Sequence, residues 1–376
     1  MSDATSNTTN VPPSNVAVKV SAIDTTLTLH GMKCSHLWQP TIKGFDYFSA
    51  GTWSLLIEHP SGRKLLYDLG CRKDWENLPP TLNLKHYLDN GILKKLKIEK
   101  NVSEILVDGG VSLDEIEGVI WSHWHFDHTG DVSTFPSTTK LIVGAGTKAN
   151  FTPAYPTDPN AQTLDSDFEG RKVLEVDVES TTLQIGGLKA FDYFGDGSFY
   201  ILDSPGHAVG HLSALARTNV SPRSDFIHMC GDAAHHGGEI RPSKGVQLPD
   251  SISPSPVPDI YALTCPGHFF EPILRNGSRE KHILEWQDFT AGMGVERRYA
   301  GTYDEPVLRE TVSKTEDLDA DENVLTVMAH DWTLKGVVDE WPKTLNSWKA
   351  QGLKDLSRWK FLADFQHACG PIPEAK

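Results

Sequence analysis

Ser122-His123-Trp124-His125-Phe126-Asp127-His128-Thr129-Gly130-Asp131 is the stretch on which the reading of this 376-residue chain turns. Three histidines and an aspartate fall within six positions, and histidine is the commonest side-chain metal ligand. His123 and His125 stand two apart on an extended segment, so their side chains project to the same side and can bind one ion through both imidazoles. Asp127 and His128 then face a neighbouring ion. Upstream, Gly118 leads into the apolar run Val119-Ile120-Trp121, which reads as a buried strand. Residues 123–130 therefore form a loop at a strand's carboxyl end, where sheet-based folds commonly place their chemistry.

Four ligands do not close two metal sites, so other strand ends should supply more. Three segments do. After an apolar run at 199–203 comes Ser204-Pro205-Gly206-His207-Ala208-Val209-Gly210-His211, where Gly206 allows a sharp turn that presents His207. After 226–230 comes Gly231-Asp232-Ala233-Ala234-His235-His236. After 324–328 comes Ala329-His330-Asp331. Further strands are predicted at 25–29, 140–143, 183–185, 189–192 and 213–216, and a hairpin at 53–57 and 64–68 turns at Pro60-Ser61-Gly62. Ser112 and Glu115 resemble a capping box that opens a short helix near Leu113.

Around this framework, residues 1–20 are polar and rich in Ser, Thr and Asn, and read as a disordered tail. Residues 21–376 read as a single catalytic domain. It carries a helical insert at 72–100, on the spacing of Leu84, Tyr87, Leu88, Ile92, Leu93 and Leu96, and a Pro-rich loop at 241–258. A helical extension at the carboxyl end is predicted from Trp341, Leu345, Trp348, Leu353, Leu356, Trp359 and Phe365.

Composition excludes several classes. With 35 basic and 50 acidic residues the net charge is −15, which repels polyphosphate backbones and argues against nucleic acid as a partner. No apolar stretch approaches the roughly 20 residues needed to span a bilayer, and no secretory signal opens the chain, so a soluble cytoplasmic protein without membrane partners is expected. Five scattered cysteines, odd in number, suit thiols in a reducing compartment.

The ordered set of motifs, H-x-H-x-D-H, then PGH with a second GH four residues on, then GDA, then a final HD, resembles the metallo-β-lactamase superfamily. Within it, the cadence is most similar to the N-acyl homoserine lactonase branch, and the likeness runs from about Leu27 to Asp331. It implies an α+β fold, an αββα sandwich of two mixed sheets flanked by helices. Carried over by position, it implies that His123, His125 and His207 bind one Zn2+ and that Asp127, His128 and His330 bind a second. Asp232 would bridge both, with iron or manganese as alternative metals.

The resemblance also implies a hydrolase in which a metal-bridging hydroxide attacks a small cyclic ester or amide, Asp127 or Asp232 moving the proton. Asp68 and His211 match positions that support ligands, and the branch includes homodimers. One departure stands out: three residues after the bridging aspartate the lactonases commonly carry a tyrosine, and here His235 takes that place, as a donor to the substrate carbonyl or leaving group. The DAAHHGGEIRPS segment and the insert look similar to fungal enzymes that open plant-defence lactams or cyclic carbamates such as benzoxazolinone, a detoxification role. A glyoxalase-like thioesterase and an iron-dependent sulfur dioxygenase are the alternative readings.

Other candidates carry less. His236 is a weaker catalytic candidate than His235. Thr264-Cys265-Pro266-Gly267-His268 repeats the PGH letters without the second GH and reads as a loop. Cys230 reads as a small buried hydrophobe. Trp38, Tyr47, Phe48 and Trp53 fit a core, and alternatively the wall of a pocket for a flat ligand.

Overall fold

Leu55 and Ile57 point to one side of the strand Trp53–Glu58 and Leu56 to the other, and the two sets enter different buried clusters. This period of two, repeated along most of the strands, builds the layers. The structure, a computed structural model, describes residues 9–288, 290–291 and 294–370. Six strands form a first sheet in the order Lys19–Asp24, Trp53–Glu58, Lys64–Tyr67, Ile116–Ile120, Lys140–Val143, Val173–Glu175. The first three pair antiparallel and the rest parallel. A second six-stranded sheet runs Gln184–Ile185, Leu188–Asp192, Phe199–Asp203, Leu212–Asn219, Asp225–Met229, Val324–Val327, antiparallel until its last, parallel pair.

The main core lies between the sheets, where Leu55, Ile57, Tyr67 and Ile120 meet Phe199, Ile201, Ala214 and Ile227. Each of the leucine, isoleucine and phenylalanine side chains contributes about 1.5–3 kcal/mol on burial. On the outer face of the first sheet, Leu56, Leu66 and Val119 pack on Val102 and Leu106 of the helix Val102–Asp108. On the outer face of the second, Leu202, Leu215 and Phe226 pack with Leu318 of the helix Glu305–Ala320. The layers are therefore helix, sheet, sheet, helix, as the family resemblance implies. No helix among the described residues is long and apolar enough to cross a membrane.

Four expectations need correction. Residues 9–20 of the predicted tail are packed: Val18 and Val20 are buried between the sheets, Val11 packs on the second sheet, and Lys19 already opens a strand. Arg217 donates to the Pro12 carbonyl at 2.6 Å, fixing a segment whose polar composition hides its few anchors. Residues 1–8 lie outside the described residues.

The insert at 72–100 is helical only over Leu84–Asp89 and in short 3-10 turns. Lys95–Lys97 is a strand, with Leu96 paired to Leu29. Leu84, Leu93 and Leu96 reach one cluster from different elements, which is why their spacing imitates a helix.

The capping box at Ser112 and Glu115 is present, yet it opens only one 3-10 turn, Leu113–Glu115. The carboxyl-end series splits as well. Leu345 and Trp348 enter the core between the sheets, whereas Phe361 and Phe365 join a separate aromatic cluster. Pro342 and Gly352 interrupt the helical pattern, and helix is limited to Leu353–Ser357 and Gln366–Cys369, with 3-10 helix between them.

The longest helix, Glu305–Ala320, escaped the sequence reading. Its buried face mixes Leu308 and Leu318 with Thr311, Thr315 and Asp319, so no clean apolar stripe marks it. Asp304 caps it by accepting from the Val307 N–H. The 241–258 segment contains no helix and a single two-residue strand, Ser251–Ile252.

Candidate metal centre

Five strands end around one point. Lys64–Tyr67 leads to Asp68, Ile116–Ile120 to His123 and the loop to His128, Phe199–Asp203 to His207, Asp225–Met229 to Asp232, and Val324–Val327 to His330. Two turns have no room for a side chain. At Gly206, with φ +120°, a Cβ would lie 2.2 Å from the Leu308 nitrogen; at Gly231, with φ +54°, it would lie 2.9 Å from His211 Nε2. Both glycines therefore let their loops pass close to a neighbour while delivering His207 and Asp232.

All seven predicted ligands come together, in two groups. His123, His125, His207 and Asp232 each offer an atom within 4.8 Å of the others, and so do Asp127, His128 and His330. Asp232 stands between them. Its Oδ2 is 3.6 Å from His123 Nε2, 3.6 Å from His207 Nε2 and 3.0 Å from His128 Nε2, and its Oδ1 is 3.5 Å from His330 Nε2. His330 Nε2 is also 3.5 Å from Asp127 Oδ2. Metal bonds of about 2.0–2.2 Å put tetrahedral ligands roughly 3.2–3.6 Å apart, so these separations suit coordination.

The donor set fits divalent cations on a second count. His128 Nε2 and Asp232 Oδ1 are buried without a hydrogen-bond partner, the 3.0 Å approach of Asp232 Oδ2 lacking hydrogen-bond geometry. A cation would satisfy both atoms. Burial pushes His123 and His207 well below the usual imidazole range and His125 down to about 4, leaving neutral rings as ligands require. Burial also opposes charge on His128, but Asp232 and Asp68 more than offset it and raise it well above that range. For Asp232, burial is outweighed by His128, His235 and His330, which hold the carboxyl well below its ordinary value.

The supporting groups fix which nitrogen faces inward. Asp68, fully buried, accepts from the Ser122 N–H at 2.6 Å and the Ser122 hydroxyl at 2.7 Å, and lies 2.8 Å from His128 Nδ1. A proton held on Nδ1 leaves the Nε2 lone pair free. His330 Nδ1 likewise donates to the Gly51 carbonyl at 3.0 Å. His211 is occupied at both nitrogens: Nδ1 donates to the Ser204 carbonyl at 2.8 Å, and Nε2 accepts from the Asp232 N–H at 3.0 Å. It holds the Asp232 turn and has no lone pair left for a metal.

His235 lies at the edge of the cluster, with Nε2 3.2 Å from Asp232 Oδ2 and its ring flat on Trp286 at 3.5 Å and 5°. Burial works against its charge, but Asp232 and Glu239 more than offset this and lift it to about 9. His236 points away, enclosed by Trp38, Phe45, Phe48, Phe361 and Phe365, with Nε2 3.1 Å from Asp364. His268 is exposed and Cys230 is fully buried, and neither belongs to a metal-holding group.

A cavity of about 170 Å³ opens beside His235 and His330, walled by Phe48, Trp332 and Phe361, with Ser49, Thr333 and Asp364 as its polar lining. A neighbouring depression of about 340 Å³ shares Phe48, Ser49 and Asp364. Of the aromatic residues near the amino end, Trp38 and Trp53 are core, while Phe48 lines both spaces and Tyr47 the second. Sequence reasoning missed Glu239 and Trp286. The first had a signal, a glutamate three residues after His236 in capping-box spacing. The second had none, because Trp286 reaches His235 from a distant two-residue strand.

The model of the Metallo-beta-lactamase superfamily matches residues 50–268. The chain is 41% identical over 362 residues to gamma-lactamase FDB1 of Fusarium pseudograminearum, covering 94% of this chain and 84% of that one. It is 39% identical over 366 residues to cytochrome P450 monooxygenase mpaDE of Penicillium roqueforti; the match covers 96% of this chain but only 39% of that protein's length. Among solved structures, an N-acyl homoserine lactone hydrolase with the product N-hexanoyl-L-homoserine at its catalytic metal centre aligns with a TM-score of 0.51. That alignment has 16% identity and covers 87% of this chain and 99% of the other, a likeness of fold.

Proposed function

This chain belongs to the metallo-beta-lactamase superfamily and is a metal-dependent hydrolase, and from that premise we propose that it holds two zinc ions and opens a small cyclic ester or amide. The rings in view are a lactone, a lactam or a cyclic carbamate of the benzoxazolinone type. The observation that carries this reading is Asp232, whose carboxylate faces both ligand groups at 3.0–3.6 Å, one of them containing His330, which lines the aromatic-walled cavity.

His123, His125 and His207 would hold one ion and Asp127, His128 and His330 the other, with Asp232 shared. Zinc bound there supplies hydroxide at neutral pH and polarises the carbonyl under attack. The chain's own residues do the rest. Phe48, Trp332 and Phe361 give a flat ring apolar walls and exclude water from its faces. At about 170 Å³ the cavity is below the roughly 300–1,000 Å³ of drug-sized sites, which favours a small ring. His235 Nε2, beside Asp232, is placed to donate to the carbonyl or the leaving atom, the role a tyrosine serves in the lactonases. Asp127, less buried than Asp232, is the carboxylate able to carry the proton to the departing nitrogen or oxygen.

The support from relatives is the gamma-lactamase name borne by a protein 41% identical across most of both chains. The test is metal content by mass spectrometry together with hydrolysis of 2-benzoxazolinone, a γ-lactone and a thioester. About two zinc equivalents per chain with ring opening is the expected result. One iron per chain with no hydrolysis would overturn it.

A further inference from the structure

The cavity beside His235 and His330 and the neighbouring depression share Phe48, Ser49 and Asp364, so these residues form a sill between them. The cavity touches the metal centre through His330, whereas no member of either ligand group lines the depression. A ring whose scissile carbonyl lies at the ligand groups therefore presents its opposite edge to the sill and the space beyond it.

The chemistry changes across that sill. Phe48, Trp332 and Phe361 wall the cavity, but the depression carries two carboxylates, Asp46 and Asp364, and neither lysine nor arginine in its lining. Lys94 stands close by, its Nζ over the Tyr47 ring at 3.4 Å, without lining the space. Asp364 is held from behind. His236 Nδ1 accepts from the Gly238 N–H at 3.0 Å, so the ring proton sits on Nε2 and is donated to Asp364 Oδ2 at 3.1 Å. One carboxylate oxygen is thus fixed. The other, Oδ1, and the Asp46 carboxylate meet no donor among the described residues. With its side chain 43% exposed, Asp364 is open to a ligand that crosses the sill.

We propose that the depression is a second substrate compartment, selecting rings that bear a hydrogen-bond donor, a hydroxyl or an ammonium group, on the edge away from the scissile bond. Asp364 is its specificity-determining residue, accepting from that donor. The two carboxylates together disfavour an anionic substituent there, so the compartment both attracts and rejects. This rests on the reading that the enzyme opens small rings, and it names which substituted rings are preferred.

The probes are 2-benzoxazolinone and its hydroxy, aminomethyl and carboxy derivatives, substituted on the carbon ring away from the carbonyl. Indoles carrying the same groups, with no bond to hydrolyse, form a second set. On zinc-loaded enzyme, kcat/KM is measured for the first set and Kd by calorimetry for the second. Relative to the unsubstituted compound, the aminomethyl group should improve both by about 5- to 10-fold and the hydroxyl by about threefold, while the carboxylate should weaken both by about fivefold. Asp364→Asn keeps an oxygen for His236 and removes the charge, and both acidic residues are exposed, so the substitutions leave the core intact. The aminomethyl-to-carboxy ratio, about 25-fold or more in the wild type, should fall to about fivefold in Asp364→Asn and to about one when Asp46→Asn is added.

Equal kcat/KM and Kd across the substituents would overturn the inference, and so would a wild-type ratio in the double variant. If no ring is opened but the indoles show the preference and its loss, the compartment stands and the ring-opening reading fails. If 2-benzoxazolinone is opened and no substituent matters, ring opening stands and the compartment fails.

Discussion

Asp68→Asn should loosen metal binding at the ligand group that contains His128 while leaving the fold standing. The backbone at Asp68 has φ +57°, a conformation asparagine adopts readily, so the substitution adds no backbone strain. Side-chain volume is also kept. What changes is hydrogen-bond polarity. The carboxylate now serves three donors, the Ser122 N–H at 2.6 Å, the Ser122 hydroxyl at 2.7 Å and His128 Nδ1 at 2.8 Å. An amide has one accepting oxygen. If that oxygen serves Ser122, the NH2 group meets His128 Nδ1, the ring proton moves to Nε2, and the ligand lone pair is lost. If the oxygen serves His128, the Ser122 N–H is left facing a donor in a fully buried place.

The first outcome predicts a 10- to 100-fold weaker metal affinity, about 1.4–2.8 kcal/mol. The second predicts about 1–3 kcal/mol lost from the metal-free fold. Titration of zinc against a chromophoric chelator gives the affinity, and thermal melts with and without zinc separate the two outcomes. Ser122→Ala is the control, since it removes the hydroxyl donor but leaves Asp68 able to hold His128. If Asp68→Asn retains two zinc equivalents against the same chelator, with wild-type melting in both states, the inward-facing Nε2 argument is wrong.

Asp232→Asn should lower ring-opening turnover by at least about 100-fold and release metal from both groups, in a protein that still melts cooperatively; a fully active variant would remove Asp232 from the shared position. His123→Ala should lose about one metal equivalent by mass spectrometry, and retention of both would refute its assignment as a ligand. His235→Ala should lower kcat by about 100-fold with little change in KM and unchanged zinc content, and wild-type kcat would remove its proposed role.

Away from the centre, the buried Arg241–Asp319 pair sets an acid limit. Burial raises the Asp319 carboxyl, but Arg241, donating at 2.8 and 2.7 Å, outweighs it and holds the group at about 2, against 3.8 when unfolded. A depressed carboxyl contributes stability above its unfolded value that disappears as pH falls through the folded one. The pair should therefore contribute about 2 kcal/mol above pH 4 and lose it between about pH 4 and pH 2. Urea melts across that window should show the loss, and Asp319→Asn, with a wild-type slope there, would refute the assignment.

Much of the candidate site could be read along the chain because each ligand follows an apolar strand directly, and a strand end is a local feature. His123 to His128 share one loop, and His207, Asp232 and His330 each stand within four residues of their strands. The helix Glu305–Ala320 was illegible for the opposite reason: its buried face is half polar, and the threonines are satisfied by the Pro205 and Thr311 carbonyls, which only folding supplies. The tail expectation failed on the same ground. Val11, Val18 and Val20 are too few to mark a packed segment by composition, yet the sheets they meet are already formed.

What the sequence alone determined was the order of the strands' carboxyl ends and the chemistry set on each, because strand periodicity and ligand type are written in neighbouring residues. The tertiary structure decided which of two nitrogens each histidine turns inward, by which bonds His211 holds the Asp232 turn, and what stands against His235. Those outcomes depend on hydrogen-bond partners and ring contacts separated by tens to hundreds of residues: Asp68 for His128, the Gly51 carbonyl for His330, and Trp286 for His235. The loop sequence specifies an imidazole, but its direction is set by the polar and aromatic groups that the two packed sheets bring alongside it.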